Sequence, residues 1–359
     1  MNLQIPICNT GYGITGYYLA KNLIEQAKKN HHPGLPPEEI VIYPIGNPEM
    51  DLYAELESHD WRVSDAYNSG DTLKIWHQHG LHESVICGGI YTGFPIFELN
   101  QFTTTEKRSM RHCDRLFVCS HWAKEVVESQ LPNPVKVVPL GVDRNIFNEH
   151  DNKSRPQTVF FNCGKWEIRK GHDLLALAFN AAFNREDNVE LWMMCDNPFI
   201  GEAGNADWIN RYKRSTLGDK IRFIPRQKTH RDVYNIIRQV DCGVFPARAE
   251  GWNLELLECL SCGKNVIATN YAGHTEFINS KNALLLDVAK MTSAQDGIWF
   301  FGQGEWAEPD FDQLVSNLRK VHNLKKDGEL DLNLEGVATA KQFSWANSAR
   351  TTLSEMGYV

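Results

Sequence analysis

Residues 242–278 read CGVFPARAEGWNLELLECLSCGKNVIATNYAGHTEFI, and this stretch decides the fold. Its first residues, 243–245, are apolar and predict a buried strand. After a turn, apolar residues recur at helical spacing up to Gly263, a typical helix stop. A second apolar run, 265–269, predicts another strand. A strand, a helix and a strand in this order indicate a parallel crossover of an α/β fold.

Two acids flank the start of the predicted helix. Glu250 lies in the turn before it, and Glu258 lies within it. Parallel sheets bind ligands outside the carboxyl ends of their strands, where helix N-termini present N–H groups. We therefore expect the backbone N–H groups of Trp252, Asn253 and Leu254 to donate to phosphate oxygens, and the carboxylates to accept hydrogen bonds from vicinal hydroxyls. For either acid alone, the alternative is a role that complements the helix dipole.

The same stretch resembles the signature of retaining glycosyltransferases of the GT-B fold, glycosyltransferase family 4. That family carries Glu, seven residues and a second Glu, followed by a small residue, Cys-Gly and a Pro-Val-Ile strand. Glu250 and Glu258 match the pair, whereas Asn265 stands where the family usually has Pro. The resemblance implies that Glu250 contacts the hydroxyls of the donor sugar and that Glu258 contacts the nucleotide ribose.

Three cations occupy the turn between a predicted strand and the next helix: Lys165, Arg169 and Lys170. Cations at a helix N-terminus oppose the dipole, so we expect a counter-charge there, which a bound diphosphate would supply. The family has Gly-Arg here and Lys-Gly five residues later; Lys165 replaces the Arg, and Lys170–Gly171 matches. The resemblance implies that Lys165 and Lys170 contact the diphosphate, with a solvated basic turn as the alternative. The resemblance also implies a nucleotide-binding role for Arg226, which follows the strand that in this family lies beside the nucleotide base.

A glycine-rich turn lies near the N-terminus. Gly11, Gly13 and Gly16 form G-x-G-x-x-G between the predicted strand Leu3–Cys8 and a helix, which is the dinucleotide motif. The next strand, Ile40–Pro44, does not end in the acid that would hold a ribose, which counts against a dinucleotide site. A turn that a ligand approaches and a purely structural turn both stay open. The resembled family directs this loop at the donor phosphates and the acceptor, which implies a binding role for Gly13.

Two more candidates follow strands of the first half. His77 ends the predicted strand Leu73–His77, and His79 and His82 follow it; none has a partner at metal-ligand spacing, so we predict no metal site. His77 or His79 is instead a candidate to position an acceptor hydroxyl or a sugar phosphate, and a polar surface loop is the alternative. In the resembled family the later region carries a catalytic His or a Phe-Glu pair, and this chain has Phe97–Glu98. Glu98 is therefore a catalytic candidate, with a structural salt bridge as the alternative.

Composition narrows the class of protein. The chain has 359 residues, of which 42% are hydrophobic, enough for two domains with their own cores. A net charge of −8 without blocks of like charge weakens the case for sequence-independent nucleic-acid binding. Nine scattered cysteines are typical of reduced thiols and predict a cytoplasmic location. We expect neither a signal peptide nor a transmembrane segment, whereas weak peripheral membrane contact stays open.

The resemblance implies an α/β fold of the GT-B type, with two Rossmann-like, doubly wound domains facing a central cleft and a C-terminal helix crossing back to the first domain. We predict an acceptor-side domain over 1–150, a nucleotide-sugar-binding domain over 151–340 and the returning helix over 341–359. The polar run Asn148–Gln157 is the predicted linker. Residues Trp299–Asp312 are predicted to be an insertion that leads into a helix.

The implied activity is transfer of a hexosyl or related sugar from a UDP-, GDP- or ADP-sugar to an acceptor hydroxyl. The implied mechanism retains the anomeric configuration and needs neither a metal nor a tightly bound cofactor. The acceptor stays open among a saccharide, a lipid-linked sugar, a protein and a modified nucleobase, and so does the oligomeric state. The alternatives are a non-catalytic nucleotide-sugar-binding protein, a phosphorylase or epimerase of the same fold and, from the glycine motif alone, a nicotinamide oxidoreductase.

Overall fold

A computed structural model describes residues 1–30, 40–49, 56, 70–151 and 155–358. The chain forms two compact units, Met1–Gly141 with Phe343–Val359, and Val142–Gln342. Each unit contains a parallel six-stranded sheet, and helices connect several of its strands. The predicted α/β fold is confirmed. The predicted linker falls partly on residues 152–154, which lie outside the described residues.

The sheet of the first unit has the strand order β2-β1-β3-β4-β5-β6, and all neighbouring strands are parallel. Its elements are β1 (Asn2–Ile5), α1 (Gly11–Asn30), β2 (Val41–Pro44), β3 (Thr72–Trp76), β4 (Tyr91–Pro95), α2 (Thr104–Arg111), β5 (Arg115–Val118), α3 (His121–Glu128) and β6 (Val135–Val137). β1 is shorter than predicted and ends before Pro6, which has no N–H group for the sheet. The helix α2 was not predicted, although its capping box of Thr103 and Glu106 is visible in the sequence.

Backbone packing accounts for two glycines of the N-terminal motif. A Cβ atom at Gly13 would lie 2.2 Å from the backbone N of Cys8, and one at Gly16 would lie 2.2 Å from the O of Pro6. Gly11, in contrast, has no atom within 4 Å of that position. The turn between β1 and α1 therefore needs glycines at two positions for structural reasons, independently of any ligand.

The sheet of the second unit has the order β12-β11-β10-β7-β8-β9 and is also parallel. Its elements are β7 (Thr158–Gly164), α4 (His172–Ala182), β8 (Val189–Cys195), α5 (Gly201–Lys213), β9 (Ile221–Phe223), α6 (His230–Ile237), β10 (Cys242–Phe245), α7 (Leu254–Ser261), β11 (Asn265–Thr269) and β12 (Leu284–Leu286), followed by β13 (Val288–Gln295), β14 (Phe301–Pro309), α8 (Phe311–Lys326) and α9 (Leu334–Gln342). Large buried side chains such as Phe160, Leu191 and Tyr212 fill its core.

The predicted insertion at Trp299–Asp312 contains a strand. β13 and β14 pair antiparallel as a hairpin outside the six-stranded sheet. The hairpin has two register shifts, and these interrupt the alternation by which a strand is recognised in a sequence. The helix after it begins as predicted, because the side chain of Asp310 accepts a hydrogen bond from Gln313 N and caps α8.

The last helix, α10 (Trp345–Met356), belongs to the first unit, as predicted for the GT-B fold. The ring of Trp345 stacks on that of Tyr18 in α1, with 5.4 Å between centroids and 6° between planes. Gly141 allows the chain to approach closely, since a Cβ there would lie 2.2 Å from Trp345 N. Burial of this aromatic pair attaches the C-terminal segment to the unit. No helix among the described residues is long and apolar enough to cross a membrane.

Candidate functional site

The candidate site lies at the carboxyl edge of the second sheet, in the turns that follow β7 and β10. The first turn carries Lys165, Arg169 and Lys170, and the second carries Glu250. β7 and β10 are neighbouring parallel strands, so their carboxyl ends meet. The topology therefore brings together cations and an acid that the sequence separates by 80 positions.

Backbone contacts hold the two turns against each other. Arg248 N donates to Arg169 O at 2.7 Å. Gly171 has a φ of +74°, and a Cβ there would lie 2.0 Å from the O of Pro246. A side chain at Gly171 would both strain the backbone and push the turns apart, so glycine is required at this position.

The cations of the first turn are paired with two buried acids. Lys170 Nζ donates to Glu250 Oε1 at 2.7 Å, and Arg169 Nη1 donates to Glu250 Oε2 at 3.2 Å. Arg169 also binds Glu167 Oε2 at 2.7 Å, and Lys165 binds Glu167 Oε1 at 2.9 Å. We call these five residues the charge network. Three positive and two negative charges leave it with one net positive charge.

The charge network corrects the expectation that a bound diphosphate supplies the counter-charge of the cationic turn. Glu167 and Glu250 supply most of that charge within the protein, and Arg169 is buried between them. Glu167 was not among the predicted site residues, although it lies in the same turn as the cations. The net charge of the network is therefore only +1, and its most exposed cation is the half-buried Lys165.

Ion pairing sets the protonation states in the network. Burial alone would raise the pKa of Glu250, but the charges of Lys170 and Arg169 outweigh it and lower this pKa to about 2. Burial likewise opposes the charged form of Lys170, yet Glu250 and Glu255 raise its pKa. Both side chains are therefore charged at neutral pH, and Glu250 acts as a hydrogen-bond acceptor rather than as an acid.

A buried histidine supports the first turn. His172 Nδ1 accepts from Glu167 N at 3.0 Å, so its Nε2 carries the proton and donates to Asn162 Oδ1 at 2.9 Å. Burial, followed by the charge of Lys170, lowers the pKa of His172 to about 3, and the ring stays neutral. Its role is structural, because both ring nitrogens are used to fix the turn.

The N-terminus of α7 completes the site. Asn253 is the N-cap residue, with a left-handed φ of 79°, and its Oδ1 accepts from Leu256 N at 3.1 Å. Trp252 and Asn253 are buried and Leu254 is half-buried, so the predicted phosphate-binding N–H groups lie mainly below the surface. Glu258 is buried in the same helix. Burial, and then the charge of Glu255, raises its pKa well above the usual value, which disfavours the carboxylate form that we expected.

The loop after β11 is strained next to Glu250. Ala272 has φ 67° and ψ −155°, a conformation found almost only in glycine. Its neighbour Gly273 donates its N–H to Glu250 O at 2.8 Å. A Cβ at Gly273 would lie 1.9 Å from Gly251 O, so the two loops are in direct backbone contact.

Because of this strain, Ala272→Gly is expected to stabilise the protein. Relief of the unfavourable conformation gains about 1–3 kcal/mol, and the greater freedom of glycine in the unfolded chain removes about 0.5–1 kcal/mol. We expect a net increase of about 1 kcal/mol in the free energy of unfolding, measured by urea titration. Gly273→Ala is the opposite control, since it should destabilise the same loop. A decrease for Ala272→Gly would contradict the assignment of strain.

An arginine attaches the β13–β14 hairpin beside the site. Arg248 forms two hydrogen bonds to Asp173, at 2.8 and 2.9 Å, and one to Glu308 of β14 at 2.6 Å. Its backbone O accepts from Ala307 N at 2.9 Å. The hairpin is therefore joined to the turn that carries Glu250 and to the first turn of α4. Sequence reasoning did not identify Arg248, because none of its partners is close in the chain.

The remaining predicted nucleotide contact lies further along the sheet edge. Arg226 follows β9, is exposed, and pairs with Asp196 after β8 at 3.7 Å. The turn after β8 also carries Phe199, whose ring lies 5.4 Å from Lys165 Nζ. Lys165 thus lies between the charge network and this part of the edge.

The other candidates belong to the first unit; they are Gly13, His79 and Glu98. Tyr12, which sequence reasoning did not single out, connects their segments. Its ring lies 4.4 Å from that of His77, which in turn stacks on His79 at 5.2 Å. The hydroxyl of Tyr12 donates to Ile96 O, two residues before Glu98. The start of α1 and the loops after β3 and β4 therefore meet. No group of three or more potential ligands is placed to hold a metal ion in the described parts of the chain.

A buried lysine supports the loop after β3 that carries His77, His79 and His82. Lys74 in β3 donates to the backbone O atoms of Gly80, Leu81 and Glu83, the first two at 3.0 and 3.4 Å. Burial lowers the pKa of Lys74, although Glu83 opposes this shift. A lysine inside the otherwise apolar strand TLKIW was the available sequence signal for this anchor.

The second unit is similar to a known family, because residues 157–322 fit the family model described as Glycosyl transferases group 1. These residues, called the group 1 domain below, resemble the group 1 glycosyltransferases. The charge network, α7 and the strained loop all lie within the matched residues. The match supports the prediction of a glycosyltransferase for the part of the chain that carries the site.

Two curated relatives of the group 1 domain extend beyond it. The chain is 21% identical over 274 residues to a protein of Sulfolobus islandicus filamentous virus named glycosyltransferase 45, with 72% of this chain and 71% of that protein covered. It is 24% identical over 243 residues to an uncharacterized glycosyltransferase of Methanocaldococcus jannaschii. This second match covers 67% of the chain but only 58% of the relative, less than two thirds of its length.

Solved structures share the fold across both units. HepE of Anabaena, crystallised with UDP and glucose, matches with a TM-score of 0.70 at 13% identity over 100% of both chains. A glycosyltransferase of Rickettsia africae matches with a TM-score of 0.68 at 15% identity, covering 99% of this chain and 97% of that one. Sucrose-phosphate synthase of Thermosynechococcus elongatus gives 0.69 at 13% identity with the same coverage. Because the sequence identities are only 13–15%, these structural similarities show the GT-B fold alone.

Proposed function

We propose that this protein is a retaining glycosyltransferase of family 4, which moves a sugar from a nucleotide-diphosphate sugar to an acceptor hydroxyl. The observation that carries the proposal is the buried Lys170–Glu250 pair at the carboxyl ends of β7 and β10, inside the group 1 domain. HepE, a protein of the same fold, has been crystallised with UDP-glucose, which supports a donor of this class.

Lys170, Lys165 and the N-terminus of α7 act on the leaving group. As the bond to the sugar breaks, negative charge grows on the departing diphosphate oxygen. Preorganised cations and N–H groups stabilise such charge without reorganising during the reaction. The single surplus positive charge of the network matches this requirement. We propose that these groups supply the positive charge in a metal-independent reaction without a tightly bound cofactor.

Glu250 orients the sugar. Its two oxygens are held by Lys170 and Arg169, and the carboxylate has further lone pairs that accept hydrogen bonds from sugar hydroxyls. Because Glu250 stays charged down to a pH far below neutral, it is a positioning group and not a proton donor. Glu258, which is buried in α7, is assigned to the nucleotide ribose.

The acceptor is assigned to the first unit and the donor to the second. Gly13, His79 and Glu98 lie in segments that Tyr12 brings together at the edge of the first sheet, where an acceptor hydroxyl could be positioned. The nine cysteines form no disulfide among the described residues, which supports a cytoplasmic location.

A binding screen followed by a turnover assay tests the proposal. The thermal stability of the full chain is measured with UDP-, GDP- and ADP-sugars and with the corresponding free nucleotides. A ligand at about 100 times its Kd should stabilise the folded state by about 2.7 kcal/mol. Mass spectrometry of the preferred donor with candidate acceptors then detects transfer. Stabilisation without any turnover indicates a non-catalytic binding protein, and no stabilisation by any donor rejects the proposal.

A further inference from the structure

Three buried side chains beside Glu250 have polar atoms without a hydrogen-bond partner among the described residues. These atoms are Asn253 Nδ2, Thr269 Oγ1 and His274 Nδ1. The side chains belong to residues that are 6%, 0% and 0% exposed. Buried polar groups in proteins are nearly always hydrogen-bonded, so each such atom needs an explanation. All three lie at or after the carboxyl ends of β10 and β11, which are neighbouring strands.

The protonation of His274 is defined by its one partner. Its Nε2 faces the backbone O of Thr269 at 2.5 Å, and a carbonyl can only accept, so Nε2 carries the proton. Burial lowers the pKa of His274, although the Thr269 carbonyl and Glu250 oppose this, and the ring is neutral. Its Nδ1 is therefore a bare acceptor. The adjacent N–H of Gly273, bound to Glu250 O at 2.8 Å, fixes His274 close to the sugar-orienting residue.

The hydrogen-bonding types of the three atoms exclude some classes of ligand. Asn253 Nδ2 can only donate, His274 Nδ1 can only accept, and Thr269 Oγ1 can do either. An ionised phosphate has no hydrogen to give to His274, and an apolar group satisfies none of them. A hydroxyl group both donates and accepts. A ring with neighbouring hydroxyls would satisfy the whole set.

We propose that His274, Thr269 and Asn253 form a hydroxyl-binding subsite for the transferred sugar, beside the carboxylate of Glu250. The inference rests on the proposed function and adds to it the residues that recognise the sugar. His274 accepts a hydrogen bond from one hydroxyl, and Asn253 donates to another. The subsite distinguishes the nucleotide sugar from the free nucleotide, since none of these atoms is assigned to the diphosphate or the base.

The test compares the affinities for a nucleotide and for its sugar conjugate. UDP and UDP-glucose are titrated calorimetrically into the wild type and into His274→Phe, which keeps a planar ring but removes both nitrogens. If the screen selects another donor, that donor and its nucleotide replace the pair. We expect the affinity for UDP-glucose to fall about tenfold while the affinity for UDP is unchanged, as for loss of one buried hydrogen bond.

Two further variants protect the test against a folding artefact. Thr269→Val keeps the shape but removes the hydroxyl, and it should weaken UDP-glucose selectively without lowering the melting temperature. His322→Phe is the matched control, because His322 is a buried histidine of the same unit whose Nδ1 already pairs with Thr158 Oγ1 at 2.8 Å. It should leave the ratio of the two affinities unchanged.

The outcomes separate the inference from the proposed function. A wild type that binds no nucleotide sugar would reject both. A wild type that binds UDP-glucose, together with His274→Phe and Thr269→Val variants that lose UDP and UDP-glucose equally, or lose neither, would overturn the subsite alone. If His274→Phe does not fold, Thr269→Val decides.

Discussion

Replacing Glu250 with Gln is expected to reduce sugar transfer by about 10²–10³-fold, the loss typical of a preorganised electrostatic contact in an active site. The carboxylate accepts hydrogen bonds from Lys170 and Arg169. A Gln amide would present an N–H group to one of these cations and would lose the charge that orients the sugar. Removal of one partner of a buried ion pair also costs about 3–5 kcal/mol of stability.

Glu167→Gln and Glu258→Ala are the matched controls for Glu250→Gln. Glu167→Gln removes a similar charge from the same network but not from the residue assigned to the sugar, so it should lower stability with a smaller loss of kcat. Glu258→Ala should mainly raise the KM of the donor. Initial rates over a donor series give kcat and KM for each variant, and urea unfolding gives their stabilities. Equal, small effects of Glu250→Gln and Glu258→Ala on transfer would remove the assignment.

The pH dependence of stability gives a second readout for Glu250. Its pKa is about 2 in the folded protein against an ordinary value of 4.5. The stability that this carboxylate contributes is therefore complete above pH 4.5 and is lost as the pH falls through about 2. The Gln variant should show a shallower loss of stability than the wild type in this window.

Replacing Lys170 with Met is expected to lower turnover by about 10²–10³-fold and to weaken binding of the nucleotide diphosphate. Met keeps an aliphatic stem against Gly164, where the Lys170 stem packs closely, but it removes the ammonium group. The network then has no surplus positive charge to offer the departing diphosphate. Glu250 keeps one of its two cationic partners, Arg169. Rates under saturating donor and calorimetric titration of UDP measure the two effects.

Lys325→Met controls for the loss of a buried ion pair. Lys325 binds Asp241 at 2.9 Å, and both side chains are buried, but Asp241 precedes β10 whereas Glu250 follows it. This variant should lose stability while keeping the kcat of its folded fraction. A folded Lys170→Met protein with near-normal transfer would refute the role of Lys170 in stabilising the leaving group.

Local signals made much of the architecture predictable. Changes between strand and helix periodicity depend on neighbouring residues, and they indicated β10, α7 and β11 in the correct order. The caps of α3 and α8, Ser120 and Asp310, are equally local. The hairpin was missed because irregular pairing erased its alternation, and α2 was missed although its capping box was readable.

The sequence by itself determined the alternating α/β order and placed lysines and glutamates in the turns at one edge of a sheet, because periodicity and turn residues act over short stretches of chain. Only the tertiary structure decided which charges pair, that Glu167 and Glu250 neutralise most of the cationic turn, and that burial raises the pKa of Glu258. Lys170 and Glu250 are 80 positions apart, and their interaction depends on distance and burial. Those two quantities exist only after neighbouring strands have brought the turns together.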